Sequence, residues 1–463
     1  MNTRTEHDSF GPIQVPADHL WGAQTQRSLS HFDIGCERFP PEFIGALAIV
    51  KRSCAIVNAA LGDLTPSKSA AIVTACDEII AGAWRDEFPL SIWQTGSGTQ
   101  TNMNANEVIA ARANQLLEQG VDDHIAIHPN DDVNRAQSSN DAIPTAMHIA
   151  AAQQVLLQLL PNMMDLRNSL HGKALEFAPH IKIARTHGMD ATPMTLGQEF
   201  SGYVSQLDHG VQALRNTLAH LFQLALGGSA VGTGLNTRPQ FAEQVAWEIA
   251  SYTQIKFVTA PNKFEALAAH DAIVELSGAL KRLAVSLLKI ANDIRLLATG
   301  PRCGFMELQL PELEPGSSIM PGKVNPTQCE ALAMICVQVL ANDLAISLAG
   351  SQGQLELNTY KPMIIHNILQ SIRLMADATR SFDRHCVQGI TAQTEVMARY
   401  VEQSLMLVTA LTPHIGYDLA ARIAKHAHDN KLTLRDAAMQ LGVAGEDFAR
   451  WVQAGAMLAP QKS

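Results

Sequence analysis

Charge and aromatic rings are both scarce in this sequence. Lys, Arg, Asp and Glu make up 17% of the 463 residues, against roughly 25% in an average soluble domain, and Phe, Trp and Tyr only 5%. Something besides water is therefore expected to cover much of the surface. A cationic excess is missing too, since 34 Lys and Arg face 44 Asp and Glu for a net charge of −10; this excludes a basic nucleic-acid footprint. No C-x-x-C pair occurs among the seven cysteines (Cys36, Cys54, Cys76, Cys303, Cys329, Cys336, Cys386), which argues against a disulfide framework, a zinc ribbon or an iron–sulfur cluster and leaves reduced, mostly buried thiols. The first residues have no apolar run and carry Glu6 and Asp8. Neither a secretory signal nor an acid-poor transit peptide fits, and a cytoplasmic location is expected. Long hydrophobic runs are interrupted by Asp, Lys or Arg short of ~18 consecutive apolar residues, so no membrane span is expected.

What is present is aliphatic, and it is periodic. Between Pro261 and Pro301, Ile273, Leu276, Leu280, Leu283, Leu287, Ile290, Ile294 and Leu297 recur at alternating intervals of three and four, a helical seam. A helix over most of this window would be ~50 to 55 Å long. Ala284, Val285, Leu288, Ala291, Leu296 and Ala298 occupy a second face, and a helix apolar on more than one face must be surrounded. Similar patterns run over 145–177 with a bend expected at Pro161, and over 195–224, 326–348 and 363–382. The expected fold is all-α, with a central bundle of long helices. Three domains are expected: 1–137, of shorter helices and polar loops; 138–392, the long-helix bundle; and 393–463, small, helical and amphipathic.

Polar chemistry is concentrated in four clusters. The first is Thr95-Gly-Ser-Gly-Thr-Gln-Thr-Asn-Met-Asn-Ala-Asn-Glu107, where Gly98 lets the backbone approach a ligand and the hydroxyls of Ser97 and Thr99 can donate to it; the same residues also suit a capped helix start. The second runs from His128 to Asp141 and ends just before a long helix, so Ser138, Ser139 and Asn140 stand where backbone amides and side chains can bind an anion. His124 and His128 are four apart, but Pro129 breaks helical spacing and no third ligand is in register, so no metal site is expected. The third, Arg185-Thr-His-Gly-Met-Asp-Ala-Thr-Pro193, places His187 among hydroxyls between two segments expected to be helical; its side chain suits acid–base work. The fourth, Glu314-Pro-Gly-Ser-Ser-Ile-Met-Pro-Gly-Lys-Val-Asn-Pro326, followed by Gln328 and Glu330, makes a loop with Lys323 and Asn325 as donors for a carboxylate. It is not a phosphate-binding P-loop, because Pro321 and Val324 occupy positions that motif needs for other residues. The run Gly227–Gly234 lacks the partners of a phosphate loop and fits tight packing between helices.

The motif GSSIMPGKVNP at 316–326 resembles the signature of the fumarase/aspartase superfamily of lyases, and the resemblance continues through VPADHLWGAQTQRS, TGSGTQTNMN, HPNDDVN, QSSND, ALGGSAVGTGLNT and LMLVTALTPHIGYD, in that order along essentially the whole chain. Within the superfamily the chain is similar to class II fumarate hydratases: Ser97, Gln100-Thr101 and Ser139 stand where aspartases usually carry Ala, Ser-Val and Thr. The resemblance implies a homotetramer with no cofactor and no metal, a dicarboxylate substrate, no membrane or nucleic-acid partner, and active sites assembled from loops of three subunits. It implies reversible hydration of fumarate to malate. Ser317 would be the base at C3, with Lys323 stabilising its alkoxide, and His187, oriented by Glu330, would protonate the leaving C2 hydroxyl. Ser97, Gly98, Thr99, Ser138, Ser139, Asn140, Thr186, Ser318, Lys323, Val324 and Asn325 would bind substrate, and His128, Pro129, Asn130 and Asp131 a second, peripheral dicarboxylate. Two departures stand out: Gly188-Met189 replace a usual Leu-Gln, and Ile125 replaces a usual basic residue near the peripheral site. An aspartate ammonia-lyase and a non-catalytic helical scaffold are the alternatives, and turnover of malate or of aspartate separates them.

Overall fold

The computed structural model describes residues 2–118 and 126–460. A hairpin of β1 (Thr3–Asp8) and β2 (Gly11–Pro16) leads into α1 (Ala23–His31), α2 (Pro41–Ala60), α3 (Pro66–Ile80), α4 (Thr99–Glu118) and α5 (Ser139–Gln154). One wide turn at Val155–Leu159 joins α5 to α6 (Leu160–Glu176), with the Leu160 N–H bonded to the Val155 carbonyl. That turn falls just before Pro161, and the proline, which has no N–H to donate, sits in the first turn of the continuing helix. A second hairpin, β3 (Ile181–Thr186) and β4 (Met189–Thr195), precedes α7 (Leu196–Leu221). Then come α8 (Phe241–Thr253), α9 (Lys263–Ala268), α10 (Asp271–Leu297), α11 (Thr327–Gly350), α12 (Lys361–His385) and α13 (Thr394–Gln403), followed by short helices.

Helices dominate as the periodicity requires, and the described strands form only two-stranded sheets. The seam on α10 is buried from Ile273 to Leu297. The helix itself is 27 residues long, about 40 Å, shorter than the ~50 to 55 Å expected from the window. Ala269 adopts an extended conformation that ends α9, and this break divides the proline-poor stretch into two helices.

Two compact units make up the chain: Met1–Pro161, Gln212–Ala284 and Val337–Ala376 form one, and Asn162–Val211, Val285–Cys336 and Asp377–Ser463 the other. In the first, α2 packs against α3, α5 and α8. The second has an aromatic core in which Phe177 meets Phe200 edge-on at 5.2 Å and Phe200 meets Tyr203 at 5.3 Å. Residues 405–452 add a cluster of their own around Leu411, Ile423, Ala437 and Ala438.

Pro41–Ala60 and Thr327–Gly350 are long and apolar enough to cross a bilayer by length and composition alone, although Lys51-Arg52 in the first and Glu330 and Asp343 in the second interrupt their apolar runs. In α2, 72% of the apolar window is buried inside the fold, against only 33% in α11. The first is a core helix. The second leaves Met334, Val337, Leu344 and Leu348 exposed on one stripe, while its Asp343 is held by Ser277 Oγ at 2.8 Å and Lys281 Nζ at 2.7 Å.

Candidate active site

In the first unit, the loop before α4 is built around a contact only glycine permits. A Cβ on Gly96 would lie 1.4 Å from the Thr359 carbonyl oxygen, and the Gly96 carbonyl accepts the Lys361 N–H at 3.0 Å. Gly98 follows with φ +76°, and α4 starts at Thr99. This geometry brings Ser97 Oγ within 2.8 Å of Thr99 Oγ1. Next to them, on α4, Asn102 donates through Nδ2 to Ser139 Oγ (3.2 Å) and to Asn134 Oδ1 (3.1 Å). The two polar clusters of this unit are therefore linked by side chains, with Asn102 as the joint.

Ser138 caps α5. Its Oγ accepts the Asn140 N–H and Asp141 returns a bond to the Ser138 N–H, a capping box. The Asp141 carboxylate reaches further, accepting the Gly227 N–H at 3.0 Å and the Ser229 N–H at 2.8 Å. Burial pushes its carboxyl up to about 6, against the pull of these three N–H donors. Asn140 Nδ2 donates to the Ala230 carbonyl at 2.8 Å. Gly227, Gly228 and Gly232 pack on Ala242, Leu267 and Phe264, where a Cβ on any of them would come within 2.7 Å, so the glycine run does make the tight helix packing expected of it. Beneath the loop lies Lys51, fully buried, with Nζ 2.9 Å from both Asn134 Oδ1 and Gln137 Oε1. Burial pushes its ammonium down to about 8.

In the second unit, His187 is not between helices, as the sequence suggested, but at the tip of the β3–β4 hairpin. Thr186 pairs with Met189, and His187 and Gly188 have φ +57° and +76°, the two positive values of a type I′ hairpin turn. Gly188 suits that turn, which accounts physically for the first departure. Thr186, His187 and Met189 are exposed. The hairpin is anchored below by Arg185, whose guanidinium donates to the buried Glu307 at 2.7 Å and lies over the Phe305 ring at 4.2 Å. Lys182 reaches Glu307 at 2.8 Å and Glu199 at 2.6 Å.

The 316–326 loop closes on itself through Gly316: its N–H donates to the Lys323 carbonyl at 2.8 Å, and Asn325 Nδ2 to the Gly316 carbonyl at 2.5 Å. A Cβ at 316 would sit 2.5 Å from that Lys323 oxygen. Within the loop Ser317 Oγ accepts two backbone N–H bonds, from Met320 at 2.9 Å and Ile319 at 3.2 Å. Two donors aimed at one hydroxyl oxygen favour its anionic form. Ser318, Lys323 and Val324 are exposed around it, and a cavity of about 250 Å³ beside the loop is lined by Lys323, Val324 and Asn325. Glu330 stands exposed in the first turn of α11. Among the described residues of the single chain, no hydrogen bond joins it to His187.

The third group is His128, Pro129, Asn130 and Asp131, at the start of a second wide turn, Pro129–Val133, which His128 caps. His128 Nδ1 accepts the N–H groups of Asn130 and Asp131, both at 3.2 Å. That nitrogen is thereby an acceptor, so the Asp131 carboxylate 3.3 Å away faces its lone pair. His128, Pro129 and Asn130 border a cavity of about 530 Å³ that also meets Arg4 and the buried Glu107. Ile125 and His124 lie outside the described residues. Reading by motif passed over Lys51, Asn102 and Asp141. The density of Asn and Asp in the motifs hinted at Asn102 and Asp141, whereas Lys51 lies in the apolar α2, outside every motif.

Residues 11–341 match the family described as Lyase, and residues 407–459 the one described as Fumarase C C-terminus. The class II fumarate hydratase of Bordetella parapertussis is 58% identical over 458 residues, 99% of each chain, and that of Nitrosomonas europaea 59% over 450 residues, 97% of each. Among solved structures, the recombinant class II fumarase of Schistosoma mansoni superposes with a TM-score of 0.97 at 45% identity, covering 100% of both chains.

Proposed function

The chain belongs to the class II fumarase family, and on that premise we propose that it hydrates fumarate reversibly to (S)-malate, with Ser317 as the base and His187 as the acid. The observation that carries the assignment of the base is the pair of N–H groups, from Ile319 and Met320, converging on Ser317 Oγ. A serine is too weak a base unaided; an alkoxide held by two amides and the nearby positive charge of Lys323 is strong enough to take the C3 proton of malate.

Removal of that proton places a second negative charge on the neighbouring carboxylate, giving an aci-carboxylate. Lys323 and Asn325 hold that carboxylate, so their grip is tightest on the intermediate. His187, oriented by Glu330 from another copy of the chain, then delivers a proton to the C2 hydroxyl, which leaves as water as the double bond forms. Hydration runs the same steps in reverse. Ser97, Gly98, Thr99, Ser138, Ser139, Asn140, Thr186, Ser318 and Val324 line the clamp for the two carboxylates, and His128, Pro129, Asn130 and Asp131 form the peripheral dicarboxylate site.

The working molecule is a homotetramer whose sites draw loops from three copies. The exposed apolar stripe of α11 supports this, as does the low charge of the chain. Incubation of the pure protein with L-malate and, separately, with L-aspartate, followed by ultraviolet absorbance of fumarate, tests the reading. Fumarate is expected from malate alone. Fumarate from aspartate alone would make the protein an ammonia-lyase, and from neither a non-catalytic bundle.

A further inference from the structure

A chain of side-chain hydrogen bonds runs from one buried cation to Ser139. An ammonium only donates, so the amides facing Lys51 Nζ must present oxygen: Asn134 Oδ1 and Gln137 Oε1, each at 2.9 Å. Gln137 is fixed in this sense from its other side, its Nε2 donating to the carbonyls of Val133 at 3.0 Å and Arg135 at 3.2 Å. Asn134 is fixed likewise by its Nδ2, which donates to the Gln137 carbonyl at 3.2 Å. With Asn134 Oδ1 committed as acceptor, Asn102 must turn Nδ2 towards it, and the same Nδ2 donates its second hydrogen to Ser139 Oγ. Asn102 Oδ1 is left buried without a partner. Turning the Asn102 amide over would satisfy that oxygen from Ser139 but set it against Asn134 Oδ1, oxygen to oxygen. Ser139 Oγ thus already accepts a bond, and among the described residues it donates none.

We propose that Lys51 is a positioning residue that keeps the Ser139 hydroxyl pointing its hydrogen at a substrate carboxylate. The inference rests on the clamp described above and adds to it the group that orients it. Lys51 suits the task because it is completely buried and its two hydrogen bonds go to neutral amides. Asp141, which caps the loop that Lys51 supports, favours the charged form of the lysine, though burial outweighs that pull. Without the cation, Asn134 Oδ1 loses its charged donor and only the 3.2 Å bond from its Nδ2 to the Gln137 carbonyl opposes a turn of the amide; when it turns, Asn102 follows and Ser139 spends its hydrogen inwards on Asn102 Oδ1.

The test is a double-mutant cycle on Lys51→Met and Ser139→Ala, with kcat and KM for malate measured for each single variant and for the pair, and thermal melting confirming folded protein. Ser139→Ala is expected to raise KM. Lys51→Met, although fully buried, is expected to raise KM about tenfold, the worth of one charge-assisted hydrogen bond, with kcat changed far less. The pair should match Ser139→Ala alone, because Lys51 acts through that hydroxyl. A merely structural role for Lys51 would lower the melting temperature and give additive effects on KM, and that result overturns the proposal. An unchanged KM in Ser139→Ala would overturn the clamp itself; a raised KM there with an unchanged KM in Lys51→Met overturns only the role of the cation. Should Lys51→Met fail to fold, Asn102→Ala breaks the same relay while leaving the cation in place. Its effect on KM is expected to vanish in the Ser139→Ala background and overturns the proposal if it adds instead.

Discussion

Ser317, the base in the proposed mechanism, is a weak base made usable by its loop, two amides of which point at its oxygen. Ser317→Ala should lower kcat by about 10³-fold, in the range for loss of a positioned base, while binding of malate, measured by calorimetry, changes little. Asp141 is the opposite kind of acid, buried and structural. Its two oxygens accept three backbone N–H groups, and Asp141→Asn sets an NH₂ against at least one of them. A loss of about 1–3 kcal/mol is expected in denaturant unfolding. His148 gives the protein an acid sensitivity. Burial pushes its imidazole down to about 4, with Nδ1 at 2.9 Å from the Gln223 carbonyl. Because the unfolded chain protonates this ring near 6.5 and the folded chain only near 4, the unfolded state binds more protons between those values. Stability is therefore full above about 6.5 and lost as pH falls towards 4. Denaturation curves across that range should show the slope, and His148→Gln should flatten it.

The informative elements are those whose ends carry the chemistry. The loop before α4 and the 316–326 loop each depend on a glycine pressed against a backbone carbonyl, at Thr359 and at Lys323. Gly96→Ala, with 1.4 Å to the Thr359 oxygen, forces a main-chain shift and should yield unstable or insoluble protein. Gly45→Ala, inside α2 with nothing within 4 Å of the new Cβ, is expected to raise stability by about 0.5–1 kcal/mol. Comparing their melting temperatures separates close approach from helix propensity. At this scale much was legible in advance. The periods of three and four placed α7, α10, α11 and α12 within a few residues, except that α10 begins later than its window. The β3–β4 hairpin is not, since its residues read as a link between helices; its turn is decided by the two positive φ values at His187 and Gly188.

For the whole molecule the deciding feature is apolar surface that a single chain leaves uncovered. Met334, Val337, Leu344 and Leu348 repeat at intervals of three, seven and four along one side of α11, each more than half exposed, while the opposite side carries buried Leu332, Cys336, Val339 and Ile346. In the proposed tetramer, packing of this stripe against further copies would remove it from water, at about 25 cal/mol per Å². Leu344→Lys together with Val337→Glu should break the assembly. Light scattering is expected to show smaller species, with malate turnover lost alongside if the sites are shared between copies. Dissociation with turnover intact would mean that each chain carries a complete site.

The sequence by itself determined the helices and the loops that interrupt them, because helical periodicity and the turn preferences of Gly, Pro, Ser and Asn are local properties of neighbouring residues. It also marked which loops are dense in polar groups. Only the tertiary structure decided how those groups point. Lys51 meets Asn134 and Gln137 across more than 80 positions, and Asp141 reaches Gly227 and Ser229 across a similar distance. Their hydrogen-bond directions follow from burial and from which partner can only donate, and neither is fixed until distant segments share one interior.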